Sequence, residues 1–346
     1  MIKTGILSYG MSGKLFHAPF IESHPGFELT AIVERSKNES REKYPGAKLV
    51  RSVEELIADP AIELVVVNTP VQTHFEFAKK SIELGKHTIV EKPFTVTLAE
   101  GEELFALAEQ HKVLLSVYQN RRYDGDYHAV KNILALDLLG DIKEVEIRFD
   151  RYRPEHSGKM HKESDLPGSG TLYDLGSHII DQALQLFGWP DAVFGDVWAM
   201  KENAQTDDYF ELLLYYDGLR VRLKASSIVR ESYYGYILHG TKGSFLQHRS
   251  DLQEQQLLKG VIPTIEPWCK PQEESDGILH TEVNEGVIRK TTFSTPGNYM
   301  GYYNDIHQAL LNNGPNPVPA TDSIKGIRII QAAMESSAEG KRINLK

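Results

Sequence analysis

The stretch "TGILSYGMSG", residues 4–13, is an apolar run that ends in a turn rich in glycine, and a helix-like segment follows it. This order predicts a strand, a tight turn and a helix. The turn has the spacing S-x-G-x-x-G, in which Ser8 occupies the first position of the dinucleotide pattern G-x-G-x-x-G. Gly10 would let the backbone approach a pyrophosphate, and Gly13 would let the helix pack close to the strand. The motif alone is about equally compatible with a plain strand–turn–helix unit.

The following hundred residues continue this alternation of strand and helix patterns. Strands are predicted at residues 4–7, 27–33, 64–68, 87–90 and 113–117, and helices at 54–58, 73–84 and 98–110. Strands that alternate with helices form parallel sheets through right-handed crossovers. We therefore predict a Rossmann domain with a doubly wound parallel sheet over residues 1–122, in which the first helix directs its N–H groups at phosphates.

The residues after the second predicted strand bear on the choice of dinucleotide. Glu34 follows Gly13 by 21 residues, and an acid at this position binds both ribose hydroxyls and favours NAD. Arg35 and Ser36 come next, and an arginine there favours the 2′-phosphate of NADP. These residues leave the choice between NAD and NADP open.

The tripeptide Glu91-Lys92-Pro93 ends the fourth predicted strand. Pro93 disfavours a helical conformation at Lys92, which is expected to stay extended. Ligands of such sheets bind beyond the carboxyl ends of the strands. An ammonium placed there could hydrogen-bond the reacting oxygen and stabilise its developing negative charge. A structural salt bridge of Lys92 with Glu91 or a neighbour is equally compatible with the residues.

Beyond residue 122 the pattern changes, and residues 143–152 alternate strictly between apolar and polar side chains. Strands are predicted at residues 143–152, 209–216, 219–226, 233–239 and 244–247, and helices at 127–138, 302–311 and 324–336, the last capped by Thr321 or Asp322. Asp217-Gly218 predicts a hairpin. We predict an α+β domain over residues 123–346 with a large, mainly antiparallel open sheet. Its uncovered, tyrosine-rich face predicts a homodimer or homotetramer.

Residues 171–188, "TLYDLGSHIIDQALQLFG", are predicted to form one helix with an apolar face. Asp174, His178 and Asp181 follow at i, i+4 and i+7 almost opposite that face. A histidine flanked by carboxylates suits proton abstraction. A solvated polar face is equally compatible, and the lack of a second His or Cys ligand argues against a metal.

The sequence does not assign a single role to three further polar residues. Arg151 and Arg153 follow the alternating strand and could hold substrate hydroxyls or a phosphate, or form structural ion pairs. Asn120 is expected at the junction of the two domains and near the cofactor.

The composition of the chain excludes several classes of binding partner and several structural classes. The net charge of −10 and the absence of a basic block argue against nucleic acid or an anionic membrane as partner. No apolar run approaches the length of a membrane span, and the single cysteine, Cys269, excludes an intrachain disulfide. A cytoplasmic protein is therefore expected.

Several segments resemble the glucose–fructose oxidoreductase and inositol dehydrogenase (Gfo/Idh/MocA) family over essentially the whole chain. Besides the tripeptide at Lys92 and the run from Asp174 to Asp181, they are "FHAPFI" at 16–21, "YQNRR" at 118–122, "RYRPE" at 151–155, "GTLYDLGSHIIDQ" at 170–182 and "IRIIQAAMESS" at 327–337. The resemblance implies hydride transfer between NADP, or NAD, and a secondary alcohol of a cyclitol or sugar resembling scyllo-inositol. A non-catalytic nucleotide sensor and an eliminase with tightly held NAD are the alternatives.

The resemblance also implies roles for individual residues. Lys92 would polarise the reacting oxygen from a cis Lys92-Pro93 bond, Asp174 would position the substrate and His178, and His178 would be the general acid and base. The predicted cofactor-binding residues are Ser8, Gly10, Ser12, Gly13, Glu34, Arg35, Ser36, Thr69, Pro70, His74, Glu91 and Lys92. The predicted substrate-binding residues are Lys92, Asn120, Arg153, Asp174 and His178. Ser8 departs from the usual first glycine of the turn. Glu34 departs from the small polar residue expected before the arginine in NADP-preferring relatives, whereas Arg35 and Ser36 agree with NADP.

Overall fold

The computed structural model describes residues 1–158, 163–231, 233–270 and 274–346. The chain divides into two compact units. The first contains Met1–Asn120, Gln253–Cys269 and Asn298–Ile324, and the second contains Arg121–Leu252, Lys270–Gly297 and Lys325–Lys346. These units differ in extent from the predicted domains because two later segments return to the first unit. Tyr302 shows why, since its hydroxyl donates a 2.9 Å hydrogen bond to Ser116 Oγ inside that unit.

The first unit contains a six-stranded sheet in which every strand pair is parallel. Its strands are β1 (Ile2–Ile6), β2 (Phe27–Val33), β3 (Lys48–Val50), β4 (Leu64–Val67), β5 (His87–Glu91) and β6 (Leu115–Tyr118), in the order β3-β2-β1-β4-β5-β6. The predicted Rossmann sheet is confirmed. Its edge strand β3 was missed because three residues, of which one is buried, carry no periodic signal.

Helices cover the sheet, so its central strands are buried on both faces. The α-helices of this unit are Ala18–Ser23, Glu39–Lys43, Val53–Ala58, His74–Glu83, Leu98–His111, Gln253–Leu258 and Met300–Asn312, with a π-helical turn at Gly13–His17 and a 3₁₀ turn at Val71–Thr73. All four residues of β4 are completely buried. The long crossover helix after β5 begins with a capping box between Thr97 and Glu100.

The second unit contains a nine-stranded sheet. Its strands are β7 (Ile142–Arg148), β8 (Ala192–Trp198), β9 (Tyr209–Tyr216), β10 (Leu219–Ser226), β11 (Tyr236–Gly240), β12 (Gly243–Gln247), β13 (Gly277–Val283), β14 (Gly286–Thr292) and β15 (Ile343–Asn344), in the order β14-β13-β12-β11-β7-β10-β9-β8-β15. β7 and β10 are parallel and the other named pairs are antiparallel. The predicted, mainly antiparallel sheet is confirmed, and so is the hairpin at Asp217-Gly218.

One face of this sheet carries helices and the core of the unit. The remaining α-helices are Gly125–Ala135, Ser177–Phe187 and Ala320–Glu339, with a π-helical turn at Leu172–Gly176 and a 3₁₀ turn at Asn120–Tyr123. The predicted cap of the last helix is wrong, because the helix begins at Ala320 and Thr321 and Asp322 therefore lie in its first turn. Within the described ranges, we find no helix that is both long and apolar enough to cross a bilayer.

The glycine turn after β1 leaves no space for a side chain at Gly13. A Cβ there would lie 2.1 Å from the carbonyl oxygen of Ser8 and 3.1 Å from Asn68 Nδ2. This oxygen is a main-chain atom of the turn that directly follows β1, so it cannot give way as the end of a flexible side chain could. The close packing of helix and strand that the motif predicts is therefore present.

Replacing Gly13 with alanine is expected to lower the free energy of unfolding by about 1–3 kcal/mol, because the new methyl group overlaps main-chain atoms. Chemical denaturation of both proteins measures this difference. Gly326→Ala is the matched control, because a Cβ at Gly326 meets nothing within 4 Å. Since alanine favours a helix interior over glycine, this control should gain up to about 1 kcal/mol. A Gly13→Ala protein as stable as the wild type would contradict the close packing.

Candidate functional site

Four chain segments meet at the carboxyl edge of the parallel sheet. Ser8 follows β1, Glu34 follows β2, Asn68 follows β4 and Lys92 follows β5. β1 lies between β2 and β4, so the strand order reverses here: the chain runs outward from β1 through β2 to β3 and then returns to β4 on the other side of β1. Such a switch point is where open α/β sheets bind dinucleotides.

Asn68 organises the glycine turn, although the sequence pattern predicted only that it ends a strand. Its Nδ2 donates to the Ser8 carbonyl oxygen at 2.8 Å and to Ser12 Oγ at 3.3 Å. Ser8 Oγ in turn accepts from the N–H of Gly10 at 3.3 Å. Asn68 Oδ1 is buried and has no hydrogen-bond partner among the described residues. A cradle without room for a Cβ and an unsatisfied amide oxygen both fit a bound dinucleotide.

The Glu34 carboxylate already has hydrogen-bond partners within the protein. The side chain is buried, and Oε2 accepts from the N–H of Ser40 at 3.1 Å and from Ser40 Oγ at 2.8 Å. Arg35 and Ser36, by contrast, are exposed. The Arg51 guanidinium stabilises this loop, because it donates to the carbonyl oxygens of Glu34 at 2.9 Å and Lys37 at 2.6 Å. Neither Ser40 nor Arg51 carried a motif that could have revealed it.

The residues on either side of Lys92, Glu91 and Pro93, determine the conformation of this turn. The Lys92-Pro93 peptide bond is cis, as expected. The N–H of Lys92 donates to Glu91 Oε2 at 3.0 Å. This hydrogen bond joins the main-chain N–H of Lys92 to the Glu91 side chain, so it is not the ammonium–carboxylate salt bridge that the sequence also allowed.

His74 ties this turn to the loop after β4. Its ring is buried, with Nδ1 3.0 Å from the Pro93 carbonyl oxygen and Nε2 2.8 Å from that of Thr69. Burial lowers the pKa of His74, and hydrogen bonds to the carbonyl oxygens partly oppose this effect. Thr69 is fixed further by a 2.7 Å contact between its Oγ1 and that of Thr73. Thr73 Oγ1 also lies 2.8 Å from the Pro70 carbonyl oxygen, so the predicted cofactor residues Thr69, Pro70 and His74 lie in one hydrogen-bonded segment that leads from β4 into the helix His74–Glu83.

Asn120 is buried and begins the 3₁₀ turn that follows β6, so it lies beyond the carboxyl end of another strand of the same sheet. The sequence pattern had placed it at the junction of domains, and it is the last residue of the first segment of the first unit.

In the second unit, the predicted helix over residues 171–188 is not continuous. It opens with the π-helical turn Leu172–Gly176, which contains Asp174, and goes on as the α-helix Ser177–Phe187, which begins one residue before His178. π-Helical turns are rare and occur frequently at functional sites. The wider turn changes the α-helical spacing that had placed Asp174 and His178 at i and i+4.

The start of this π-helical turn depends on Asp207, a residue the sequence did not reveal. Asp207 Oδ2 accepts from the N–H of Leu172 at 2.7 Å, and burial raises the pKa of Asp207 to about 6. Gly170 has φ +95°, and a Cβ there would lie 1.9 Å from Asp207 Oδ1. Glycine is therefore required where the chain approaches this carboxylate.

His178 and Asp181 are buried, so the polar side of this helix is not a solvated face. The His178 ring lies 6.4 Å from the ring of Phe149, centroid to centroid. Asp181 accepts from Arg122 Nε at 2.8 Å and from its second terminal nitrogen at 2.6 Å. This bidentate pair occupies the carboxylate that the sequence had placed beside His178.

Gln182 anchors the same helix to a buried polar network. Its Nε2 donates to the Arg121 carbonyl oxygen at 3.0 Å, and its Oε1 accepts from Tyr236 and Arg249, each at 3.1 Å. Arg249 also donates to the Arg148 carbonyl oxygen. The network fixes the helix on the strands beneath it, which orients His178.

The two arginines after β7 are placed differently. The Arg151 guanidinium lies 5.2 Å from the Phe149 ring centroid. The Arg153 side chain is exposed, while its N–H donates to the Ser227 carbonyl oxygen at 2.7 Å. No group of three or more His, Cys, Asp or Glu side chains among the described residues could hold a metal ion.

Comparison with known proteins agrees with this architecture. The family model described as "Oxidoreductase family, NAD-binding Rossmann fold" matches residues 2–119, and "Oxidoreductase family, C-terminal alpha/beta domain" matches residues 131–345.

Full-length relatives are similar as well. The scyllo-inositol 2-dehydrogenase (NADP(+)) IolW of Bacillus subtilis is 41% identical, covering 100% of this chain and 96% of its own. The uncharacterized oxidoreductase YdgJ of Escherichia coli is 38% identical, covering 97% and 96%. The crystal structure of an oxidoreductase from Bacillus cereus is 31% identical, covers 100% and 99%, and superposes with a TM-score of 0.91. The chain belongs to the Gfo/Idh/MocA family of NAD(P)-binding oxidoreductases.

Proposed function

We propose that the protein is an NADP-preferring dehydrogenase that transfers a hydride between the nicotinamide and a secondary alcohol of a cyclitol or sugar. The observation that carries the proposal is the position of Lys92, beyond the carboxyl end of β5 on a sheet whose β1 turn has the geometry of a dinucleotide cradle. A ring polyol such as scyllo-inositol is the proposed substrate, in line with the name of the inositol dehydrogenase relative.

The chain's residues have distinct roles in this proposal. The nicotinamide, when bound, accepts or returns the hydride. His178 removes the hydroxyl proton during oxidation and returns it during reduction. Lys92 stabilises the negative charge that develops on the oxygen, and Asp174 positions the substrate and His178. The burial of His178 and its anchored helix support this assignment, because a base needs a fixed orientation.

The cofactor would be held by the turn after β1 and by the loops after β2 and β4. The preference for NADP is supported by the state of Glu34. An acid that selects NAD needs its carboxylate for the ribose hydroxyls, whereas here Oε2 is bound by Ser40. Exposed Arg35 and Ser36 remain to meet a 2′-phosphate. A guanidinium binds phosphate through charge-assisted hydrogen bonds.

We also propose a homo-oligomer through the uncovered face of the nine-stranded sheet. Phe194 and Trp198 are 38% and 60% exposed on β8, and they pair across strands with Leu213 and Tyr209. A second copy would bury this apolar group of side chains.

Lys92→Ala and His178→Ala are each expected to reduce kcat by about 10²-fold or more, because each removes a group that acts on the reacting hydroxyl. Reduced-nicotinamide absorbance, recorded for NAD and NADP against inositols, aldoses and their keto forms, measures turnover and identifies the substrate. Lys80→Ala and His111→Ala are the controls and should retain wild-type rates. Normal rates in both site variants would refute the catalytic assignment.

Arg35→Ala is expected to reduce kcat/KM for NADP by about 10- to 100-fold, because a charge-assisted hydrogen bond to phosphate contributes roughly 1.5–3 kcal/mol. The value for NAD should change by less than about threefold, since NAD lacks the 2′-phosphate. Arg41→Ala, which removes another exposed arginine nearby, is the control. Equal losses for the two cofactors, or none, would contradict the proposed preference.

The double variant Phe194→Glu with Trp198→Glu should dissociate the oligomer, since charges would be buried in an apolar contact. Light scattering at micromolar protein concentrations measures the mass. Leu136→Glu, at an exposed helix end, is the control and should leave the mass unchanged. A monomeric wild type would overturn the proposal directly.

A further inference from the structure

His17 is a fully buried histidine that contacts Glu91, the residue before Lys92, and the proposed chemistry gives it no role. His17 is the last residue of the π-helical turn Gly13–His17, and its ring has no exposed surface. Its Nε2 lies 2.9 Å from Glu91 Oε1, and its Nδ1 lies 2.7 Å from the Tyr303 hydroxyl. The other oxygen of Glu91 accepts the N–H of Lys92 at 3.0 Å. A continuous path of hydrogen bonds therefore leads from Tyr303 to the Lys92 main chain.

The path is satisfied when the Tyr303 hydroxyl donates to His17 Nδ1 and His17 Nε2 donates to Glu91. Burial raises the pKa of Tyr303 well above its usual value, so the phenol keeps its proton and can donate it to His17 Nδ1. Nε2 then carries a proton and donates it to Glu91. In this arrangement the ring of His17 connects the Tyr303 hydroxyl with the Glu91 carboxylate.

Glu91 remains a carboxylate in this buried position. Burial by itself would raise the pKa of Glu91, but the hydrogen bond from His17 and the positive charge of Lys92 bring that pKa below its usual value. A buried anion needs hydrogen bonds to both oxygens. His17 supplies one and the Lys92 N–H the other, so the carboxylate can adopt few other orientations.

Aromatic rings restrict the imidazole further. The Tyr118 ring lies 4.6 Å from it and the Tyr303 ring 6.5 Å, centroid to centroid. Phe16, the preceding residue, accepts a 3.1 Å hydrogen bond from the Tyr118 hydroxyl at its carbonyl oxygen. The ring therefore cannot turn without breaking contacts on several sides.

We propose that His17 is a positioning residue that fixes Lys92 for hydride transfer by holding the Glu91 carboxylate against the Lys92 main chain. This inference rests on the proposed catalytic role of Lys92. His17 acts through Glu91 on the residue that carries the ammonium, and it need not contact substrate or cofactor. Displacement of a catalytic group by about 1 Å can cost about 10²-fold in rate, so a fixed main chain at Lys92 has a kinetic consequence.

His17→Phe tests the role of both ring nitrogens, because it keeps an aromatic ring but cannot hydrogen-bond Glu91. Its kcat is expected to fall by at least about tenfold, while the dissociation constant of NADP and the KM of the polyol change by less than about threefold. His17→Gln keeps a donor for Glu91 and should recover most of the lost rate. Glu91→Gln removes the charge with little change in shape and should reproduce the loss of kcat. It provides the same test if His17→Phe does not fold.

The Lys92→Ala background distinguishes positioning from a general loss of order. If His17 acts through Lys92, then adding His17→Phe to Lys92→Ala should lower kcat by less than about twofold further. His24→Phe is the matched control, since His24 is buried near the same helix with its ring against Phe27 and His307. It should lower the melting temperature but leave kcat within about twofold of wild type.

The outcomes separate this inference from the proposed function. Wild-type turnover in Lys92→Ala would refute the catalytic role of Lys92, and the inference with it. An inactive Lys92→Ala together with normal kcat in His17→Phe, or in Glu91→Gln, would overturn the positioning role alone. A loss in His17→Phe that persists in full in the Lys92→Ala background would also overturn it, because His17 would then act by another route.

Discussion

Parallel pairing of the six strands in the first unit is the constraint on which the nucleotide half of the site depends. Parallel strands end at the same edge of a sheet, so residues that are far apart in sequence come together there. Ser8, Glu34, Asn68 and Lys92 are separated by up to 84 positions and each follows a different strand. Register between β1 and its two neighbours brings the first three of them to the switch point.

Buried polar groups then determine how each segment is oriented. Asn68 holds the glycine turn, Ser40 holds Glu34, and His74 joins the loops after β4 and β5. In the second unit Arg122 and Gln182 do the same for the helix that carries His178. A buried donor or acceptor is costly without a partner, so each group stabilises one conformation of its loop against the alternatives.

Much of the fold could be predicted because it follows from local periodicity. The strands at 27–33, 209–216 and 219–226 have the predicted bounds, since alternation and turn residues mark both ends. Strands β3 and β15 were missed because they have only three and two residues, and β14 because it is an edge strand with little burial. Burial in β8 does not alternate regularly, and in β13 the alternating buried positions include a glycine and a threonine, so neither strand carries a clear apolar period. The return of residues 253–269 and 298–324 to the first unit was also missed, since helical periodicity does not specify which sheet a helix covers.

The sequence by itself determined the parallel nucleotide fold, the open sheet, the family and the set of chemically capable residues, because motifs and periodicity are local properties of the chain. Only the tertiary structure decided which of these residues are already engaged. Glu34 turns to Ser40 and Asp181 turns to Arg122, while Glu91 connects His17 to the Lys92 main chain. The partner of Glu34 lies 6 residues away, but the partners of Asp181 and Glu91 lie 59 and 74 residues away, and no spacing along the chain indicates that they are close.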